Sequence, residues 1–185
     1  SKCTTYLDGL NCPTGFQFYK DGVIVMQSPD LWFVRDTNHD GKVDSTDAPP
    51  ERLLHGLDAA DSHHETNSIC YEPGGAIYLS DGVFHRTQVE TGEGALRNND
   101  GAIYRFEPRT HQFETYVAYG FANPHGHAFD AWGDDIVVDG TGSVPYWGSV
   151  FSTRLDGMDK HGGAPSVYGQ RTRPCPGIEF LSSPH

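Results

Sequence analysis

Two groups of residues in this 185-residue chain have the types and spacing to do chemistry. The first runs Asp36-Thr37-Asn38-His39-Asp40-Gly41-Lys42-Val43-Asp44-Ser45-Thr46-Asp47. Oxygen-bearing side chains stand at loop positions 1, 3, 5, 9 and 12 (Asp36, Asn38, Asp40, Asp44 and Asp47), with glycine at position 6. Lys42, at position 7, can offer its backbone carbonyl. A hard cation such as calcium takes six to eight oxygens, and glycine permits the sharp turn. Val43 follows as an apolar anchor. The pattern is that of an EF-hand loop, except that Asp47 replaces the usual bidentate Glu, as in dockerin-type loops. The flanks differ further: a β-like run, Leu31 to Arg35, precedes the loop and Ala48-Pro49-Pro50 follows it. The expectation is a lone structural calcium loop between strands, against the alternative of a solvated acidic turn.

The second group is built on histidines. In Asp61-Ser62-His63-His64-Glu65-Thr66-Asn67, His64 could take a proton from a hydroxyl while a carboxylate orients it. Asp58, Asp61 and Glu65 are the candidates for that carboxylate. Asn123-Pro124-His125-Gly126-His127 is a second such segment. Histidines at i and i+2 of an extended chain point to opposite faces, so only one of His125 and His127 can face the same space as His64. The plainer alternative for each is a hydrogen bond to backbone between sheets.

These side chains need elements to hold them, and helix signals are nearly absent. Short β-type runs recur instead at Val23–Met26, Leu31–Val34, Ala76–Leu79, Ala102–Phe106 and Asp135–Val138, each bounded by Gly, Asp, Asn or Pro. Gly22, Gly75 and Gly133 precede three of these runs, 53 and 58 residues apart. His64, His125 and His185 follow a similar phase, 61 and 60 residues apart. A period of that length, holding several short strands, is what a β-propeller blade looks like in sequence. A β-sandwich with chance glycine spacing is the alternative. About three blades cannot close a ring of four to eight. The expectation is therefore an all-β fold comprising part of a six-bladed propeller, residues 1–185 being a fragment of a longer chain with the calcium loop at 36–47.

A net charge of −12 argues against nucleic acid as a partner and suits cation binding or a protein outside the cytoplasm. No apolar run approaches the roughly 18 residues of a membrane helix. Cys3, Cys12, Cys70 and Cys175 permit three pairings that sequence cannot separate, or free thiols. Trp32, Trp132 and Trp147 are expected to pack between blades rather than stack on sugars. Scattered arginines, Arg105 and Arg109 among them, read as solvated surface.

At the histidines the chain resembles a known family. His64, eight residues, then Pro73-Gly74-Gly75-Ala76-Ile77-Tyr78 is similar to the His-x8-Pro-Asp-Gly-x-Leu/Ile-Tyr signature of soluble quinoprotein glucose and sorbosone dehydrogenases. Gly120-Phe121-Ala122-Asn123-Pro124-His125-Gly126 resembles their Gly-x-Arg-Asn-Pro-x-Gly motif. Further segments resemble the membrane-bound-dehydrogenase propeller proteins of environmental bacteria. These are Gly56-Leu57-Asp58, Asp61-Ser62-His63-His64, Gln88-Val89-Glu90-Thr91, Tyr119 to His127 and Cys175-Pro176-Gly177-Ile178-Glu179. Members of that group join such a propeller to helical repeats and a C-terminal cytochrome c domain.

The resemblance implies a quinone-dependent dehydrogenase of sugars or other alcohols, periplasmic or secreted. It carries over two roles, His64 as the general base and Asn123 as a contact to pyrroloquinoline quinone; the reading of the residues adds Asp61 as the partner of His64 and His125 as a further cofactor contact. Electrons would pass to a cytochrome c, whose haem belongs to a domain outside this stretch. Ala122 stands where the family carries its quinone-binding Arg and supplies no guanidinium. The rival expectation is a non-catalytic, calcium-stabilised propeller that binds glycans or a protein partner. A dockerin-like docking module would need a second calcium loop and flanking helices, and neither is visible.

Overall fold

The computed structural model describes residues 3–148, 160, 162–163, 165–171 and 173–181. His185, third in the histidine series, lies outside the described residues. The chain is all-β: the described residues form antiparallel sheets and no helix, so none is long and apolar enough to cross a membrane.

Sheet 1 runs in chain order through β1 (Gly15–Tyr19), β2 (Gly22–Gln27), β3 (Asp30–Val34) and β4 (Glu51–His55). Sheet 2 orders β5 (Asn67–Tyr71), β6 (Ile77–Asp81), β9 (Ala102–Glu107) and β10 (Gln112–Val117). A separate hairpin, β7 (Arg86–Thr91) and β8 (Gly94–Asn99), is inserted between β6 and β9. Sheet 3 holds β11 (Pro124–Phe129), β12 (Asp135–Asp139) and β13 (Val144–Trp147), with Ser166 bridged to Tyr146 beyond β13. Gly22, Gly75 and Gly133 each lie at the entry to a sheet's second strand, which is the periodicity legible in sequence. At Gly22 a side chain has no room: a Cβ there would lie 2.2 Å from the Val34 carbonyl oxygen.

The second strands are the most buried, and their sequences say why. Val23-Ile24-Val25-Met26 and Ile77-Tyr78-Leu79 are continuous apolar runs with both faces covered. One core cluster joins sheets 1 and 2 through Ile24, Met26, Leu31, Leu79, Tyr104 and Phe106. A second joins sheets 2 and 3 through Tyr78, Ile103, Val117, Phe121 and Val137. Each fully buried side chain of this size contributes about 1.5–3 kcal/mol. The first strands neighbour one another, β5 lying against both β1 and β11. Tyr71 OH donates to the Phe18 carbonyl at 2.7 Å across the first of these junctions. Trp132 departs from its expected packing role: it sits in the β11–β12 turn and is 89% exposed.

Cysteine chemistry follows from the same burial pattern. All four thiols are free, so none of the three pairings forms. Cys3, Cys12 and Cys175 are exposed, whereas burial on β5, with Asp135 nearby, pushes the Cys70 thiol up to about 12. The thiolate is the reactive form. Alkylation of the native protein at pH 8 is therefore expected to label Cys3, Cys12 and Cys175 and spare Cys70, as peptide mass mapping would read out. Prompt native labelling of Cys70 would contradict this burial.

Candidate functional site

His64 sits in the turn leading into β5, and two backbone hydrogen bonds hold it there. Its N–H donates to the Asp61 carbonyl at 3.0 Å, and its own carbonyl accepts the Gly82 N–H at 3.1 Å. A Cβ on Gly82 would lie 2.8 Å from that same carbonyl oxygen, so only glycine lets the end of β6 approach. Asp61 Oδ2 lies 3.1 Å from His64 Nδ1, an ion-pair contact off the line of the ring N–H. The His63 N–H, donating to Asp61 Oδ1 at 3.0 Å, holds this carboxylate below the usual range, and the neighbouring His64 adds to the effect. The His64 side chain is 15% exposed and meets the Phe84 ring edge-on at 5.3 Å. Phe84 adopts a left-handed backbone, φ +72°, a strained conformation for a bulky residue.

His125 lies within β11 rather than ahead of it. Its Nδ1 bonds Asn67 Oδ1 on β5 at 2.9 Å, and its carbonyl accepts the Ser68 hydroxyl. Burial, reinforced by the nearby His64, lowers its pKa, so the ring is neutral at pH 7. The structure thus brings His64, Asp61 and His125 together, while His127 points the other way into the core, as the i and i+2 alternation requires.

The repeat phase needs a correction. Gly82 N–H bonds His64 O, and its counterpart Gly140 N–H bonds Asn123 O at 2.7 Å. The backbone equivalent of His64 is therefore Asn123, not His125; the in-phase histidines are two positions out of register. Asn123 itself is tied down: its N–H donates to Asp139 Oδ1 at 3.1 Å and its side-chain amide to Thr141 Oγ1. The segment around Pro176 borders this region, with its carbonyl oxygen 2.0 Å from where a Gly126 Cβ would be.

The acidic loop lies between β3 and β4 and folds around its own N–H groups. Asp36 accepts from Asp40 N at 3.2 Å and Gly41 N at 2.8 Å, and Asn38 Oδ1 accepts from Asp40 N at 2.9 Å. Asp40 accepts from Lys42 N at 3.1 Å, and Asp47 from Thr37 N at 2.7 Å and Asp44 N at 2.9 Å. Val43 packs on Val23, Val25 and Val34, as an apolar anchor should. The Lys42 ammonium turns back to Asp44 and, at 3.6 Å, to Asp40, holding the Asp44 carboxyl well below its ordinary range. Among the described residues no three His, Cys, Asp or Glu side chains converge as a metal-binding group.

Sequence reasoning missed two buried histidine–aspartate pairs. His85 Nδ1 meets Asp81 Oδ1 at 2.7 Å, and His127 Nε2 meets Asp135 Oδ2 at 2.7 Å, all four side chains fully buried. Asp81 had a signal: Ser80-Asp81-Gly82 and Val138-Asp139-Gly140 close equivalent strands, and each carboxylate ties a first strand or its lead-in to the sheet. His85 had none, since a lone histidine in a polar hairpin carries no spacing. Most of the described arginines with partners are committed elsewhere, Arg105 to Glu72 at 2.7 Å and Arg109 to Glu107 at 2.7 Å. A groove of about 810 Å³ is lined by Tyr6, Leu7, Leu10, Phe16, Phe18 and Val25 on sheet 1 and touches neither His64 nor His125. Its lining includes Tyr6, Lys20 and Asp21 but no histidine.

Neither the curated proteins nor the solved structures contain a match to this chain. One family profile does match, over residues 1–161, and by that extent the chain belongs to the family described as a domain of unknown function, DUF7133.

Proposed function

We propose that the three sheets are consecutive blades of a six-bladed β-propeller, and that His64 abstracts the proton of a substrate hydroxyl in a dehydrogenase-like protein. The propeller reading is supported by three meanders ordered outward from neighbouring first strands. The chemical reading rests on one observation: His64, with Asp61 Oδ2 at 3.1 Å, stands at the lead-in to β5 within electrostatic reach of His125 on β11, whose pKa burial lowers. Oxidation of an alcohol removes a proton from oxygen and a hydride from carbon. The imidazole serves the first; the hydride needs a two-electron acceptor.

The residues present do not fit the quinone that the resemblance implies. Ala122 offers only its N–H, already given to Asp139 Oδ2 at 3.1 Å, and the Asn123 amide is bonded to Thr141. Asp61 and Asp139 would face the quinone's carboxylates with like charge. The acceptor in this reading is held by other parts of the protein, with a cytochrome c as onward carrier and a periplasmic or secreted location. The same misfit favours a second reading, a propeller that binds a carbohydrate or a protein partner without turnover. Dye reduction by the complete protein over a panel of sugars and alcohols, with and without added quinone, separates the two. Turnover of at least one substrate is expected, and binding without turnover across the panel would leave the second reading standing.

The loop at 36–47 is proposed to take calcium, since its donors are all oxygens at EF-hand spacing. Asp36, Asn38, Asp40, Asp44 and Asp47 would hold the ion with the Lys42 carbonyl, and the Lys42 ammonium would swing away. Calcium at about 100 times its Kd is expected to stabilise the fold by about 2.7 kcal/mol. Identical melting curves in calcium and in chelator would remove this role.

A further inference from the structure

We propose that His85 is a positioning residue: paired with Asp81, it clamps the Asp61 carbonyl and so fixes the turn that carries His64. The proposal concerns the turn on which the hydroxyl-oxidation reading rests, and it assigns a role to a pair that lies outside the reacting groups. Both ring nitrogens of His85 face oxygen. Nδ1 lies 2.7 Å from Asp81 Oδ1 and Nε2 lies 3.1 Å from the Asp61 carbonyl. A carbonyl only accepts, so Nε2 carries a hydrogen.

Asp81 is surrounded by donors on its other sides. Thr66 Oγ1 donates at 3.3 Å, Thr87 Oγ1 at 2.7 Å and Tyr104 OH at 3.0 Å. The direction at Thr87 is forced, because its hydroxyl accepts the Asp58 N–H at 3.1 Å and has its own proton left for Asp81. One further proton must therefore lie between Nδ1 and Oδ1. Without it, a ring lone pair would face a carboxylate oxygen in a site sealed from water. The pair is thus a two-ended clamp that works only in its protonated form. One end is anchored in β6 and the other grips the same carbonyl that accepts the His64 N–H.

The charged and titratable groups around the ring come from every element packed on it. Asp81 on β6 and Asp58 in the 56–66 loop favour the imidazolium, and Glu65 from that loop adds a carboxyl that burial pushes up. Tyr104 on β9 meets Asp81 from the core side. Asp100 donates its N–H to the His85 carbonyl, and Lys160, held by Asn98 Oδ1 at 3.1 Å and Gly101 O at 2.9 Å, is within electrostatic reach of Asp81 and Asp100. Burial opposes charging His85, but the hydrogen bond and charge of Asp81 outweigh it and raise its pKa. A raised value means that the clamp is complete below the ordinary histidine range and is lost as pH rises through the folded-state value.

The test needs no turnover, so its failure and that of the oxidation reading are distinguishable. Ring-nitrogen NMR of the labelled complete protein is titrated from acid to alkaline pH. The imidazole of His85 is expected to keep both protons beyond the pH at which His125 has lost one. The amide signals of Ser62, His63 and His64 should then shift with the midpoint of His85. Asp81→Asn, which keeps the acceptor but removes its charge, should weaken proton binding at His85 by at least about 10-fold, a shift of one unit in that shared midpoint. His85→Gln should abolish the shared transition. A His85 ring carrying one proton throughout, or turn amides that ignore its titration in the wild-type protein, would overturn the proposal whether or not the variants fold.

Discussion

In the complete protein, His64→Ala is expected to lower turnover of a hydroxylated substrate by about 10²–10⁴-fold, the usual contribution of a positioned general base. The loss should fall on kcat, because the base acts as the proton leaves and adds little to ground-state binding. The fold should persist: the contacts fixing residue 64 are made by its N–H and carbonyl, and alanine keeps both. The ring itself gives up its edge contact with the exposed Phe84 and its approach to Asp61 Oδ2. Added imidazole should restore part of the rate in the variant and leave the wild type unchanged. Turnover within a factor of about two of wild type would show that the proton goes elsewhere, since base removal costs far more.

Asp135→Ala is expected to destabilise the protein by about 2–6 kcal/mol, since two buried donors lose their acceptor at about 1–3 kcal/mol each. Two groups lose their acceptor at once: His127 Nε2 at 2.7 Å and Tyr116 OH at 3.0 Å. His127 Nδ1 already lacks a partner among the described residues, so the variant leaves the whole ring unbonded in a cage of Tyr78, Tyr116 and Phe129. The site joins the outer strand of sheet 2 to the first two strands of sheet 3, and the cost falls on the junction between them. Urea unfolding should show a lower midpoint with an unchanged slope. The double change His127→Leu with Asp135→Leu should recover part of the loss, because it removes the orphaned imidazole while the Tyr116 hydroxyl still lacks its acceptor. A variant as stable as wild type would mean that water reaches this pair.

The strands that sequence revealed were those buried on both faces. The runs at Val23–Met26, Leu31–Val34, Ala76–Leu79, Ala102–Phe106 and Asp135–Val138 became β2, β3, β6, β9 and β12. The first strands were illegible for a physical reason. β5 is half-buried along its length and bulged between Asn67 and Cys70, and in β1 the side chains of Phe16 and Phe18 are 61% and 74% exposed. β5 shows no alternation, and β1 alternates with its phenylalanines on the exposed face. The candidate site divided in the same way. His64 and Asp61 were found because they are neighbours in sequence, and His125 because it lies in a motif. Their register was not found: the 61-residue histidine spacing does not follow the strand pairing, which the Gly82 and Gly140 N–H bonds set at His64 and Asn123. The His85–Asp81 pair escaped because its groups come from a loop, two strands and a hairpin, and only folding assembles them.

The β7–β8 hairpin is rooted in that pair and ends in solvent. Thr87 and Val89 are buried at its base and middle, while the Gly92–Glu93 turn stands exposed at its tip. An environment-sensitive dye attached at residue 93 would therefore act as a pointer whose pivot is His85. Its emission would report the state of the buried imidazole at a distance.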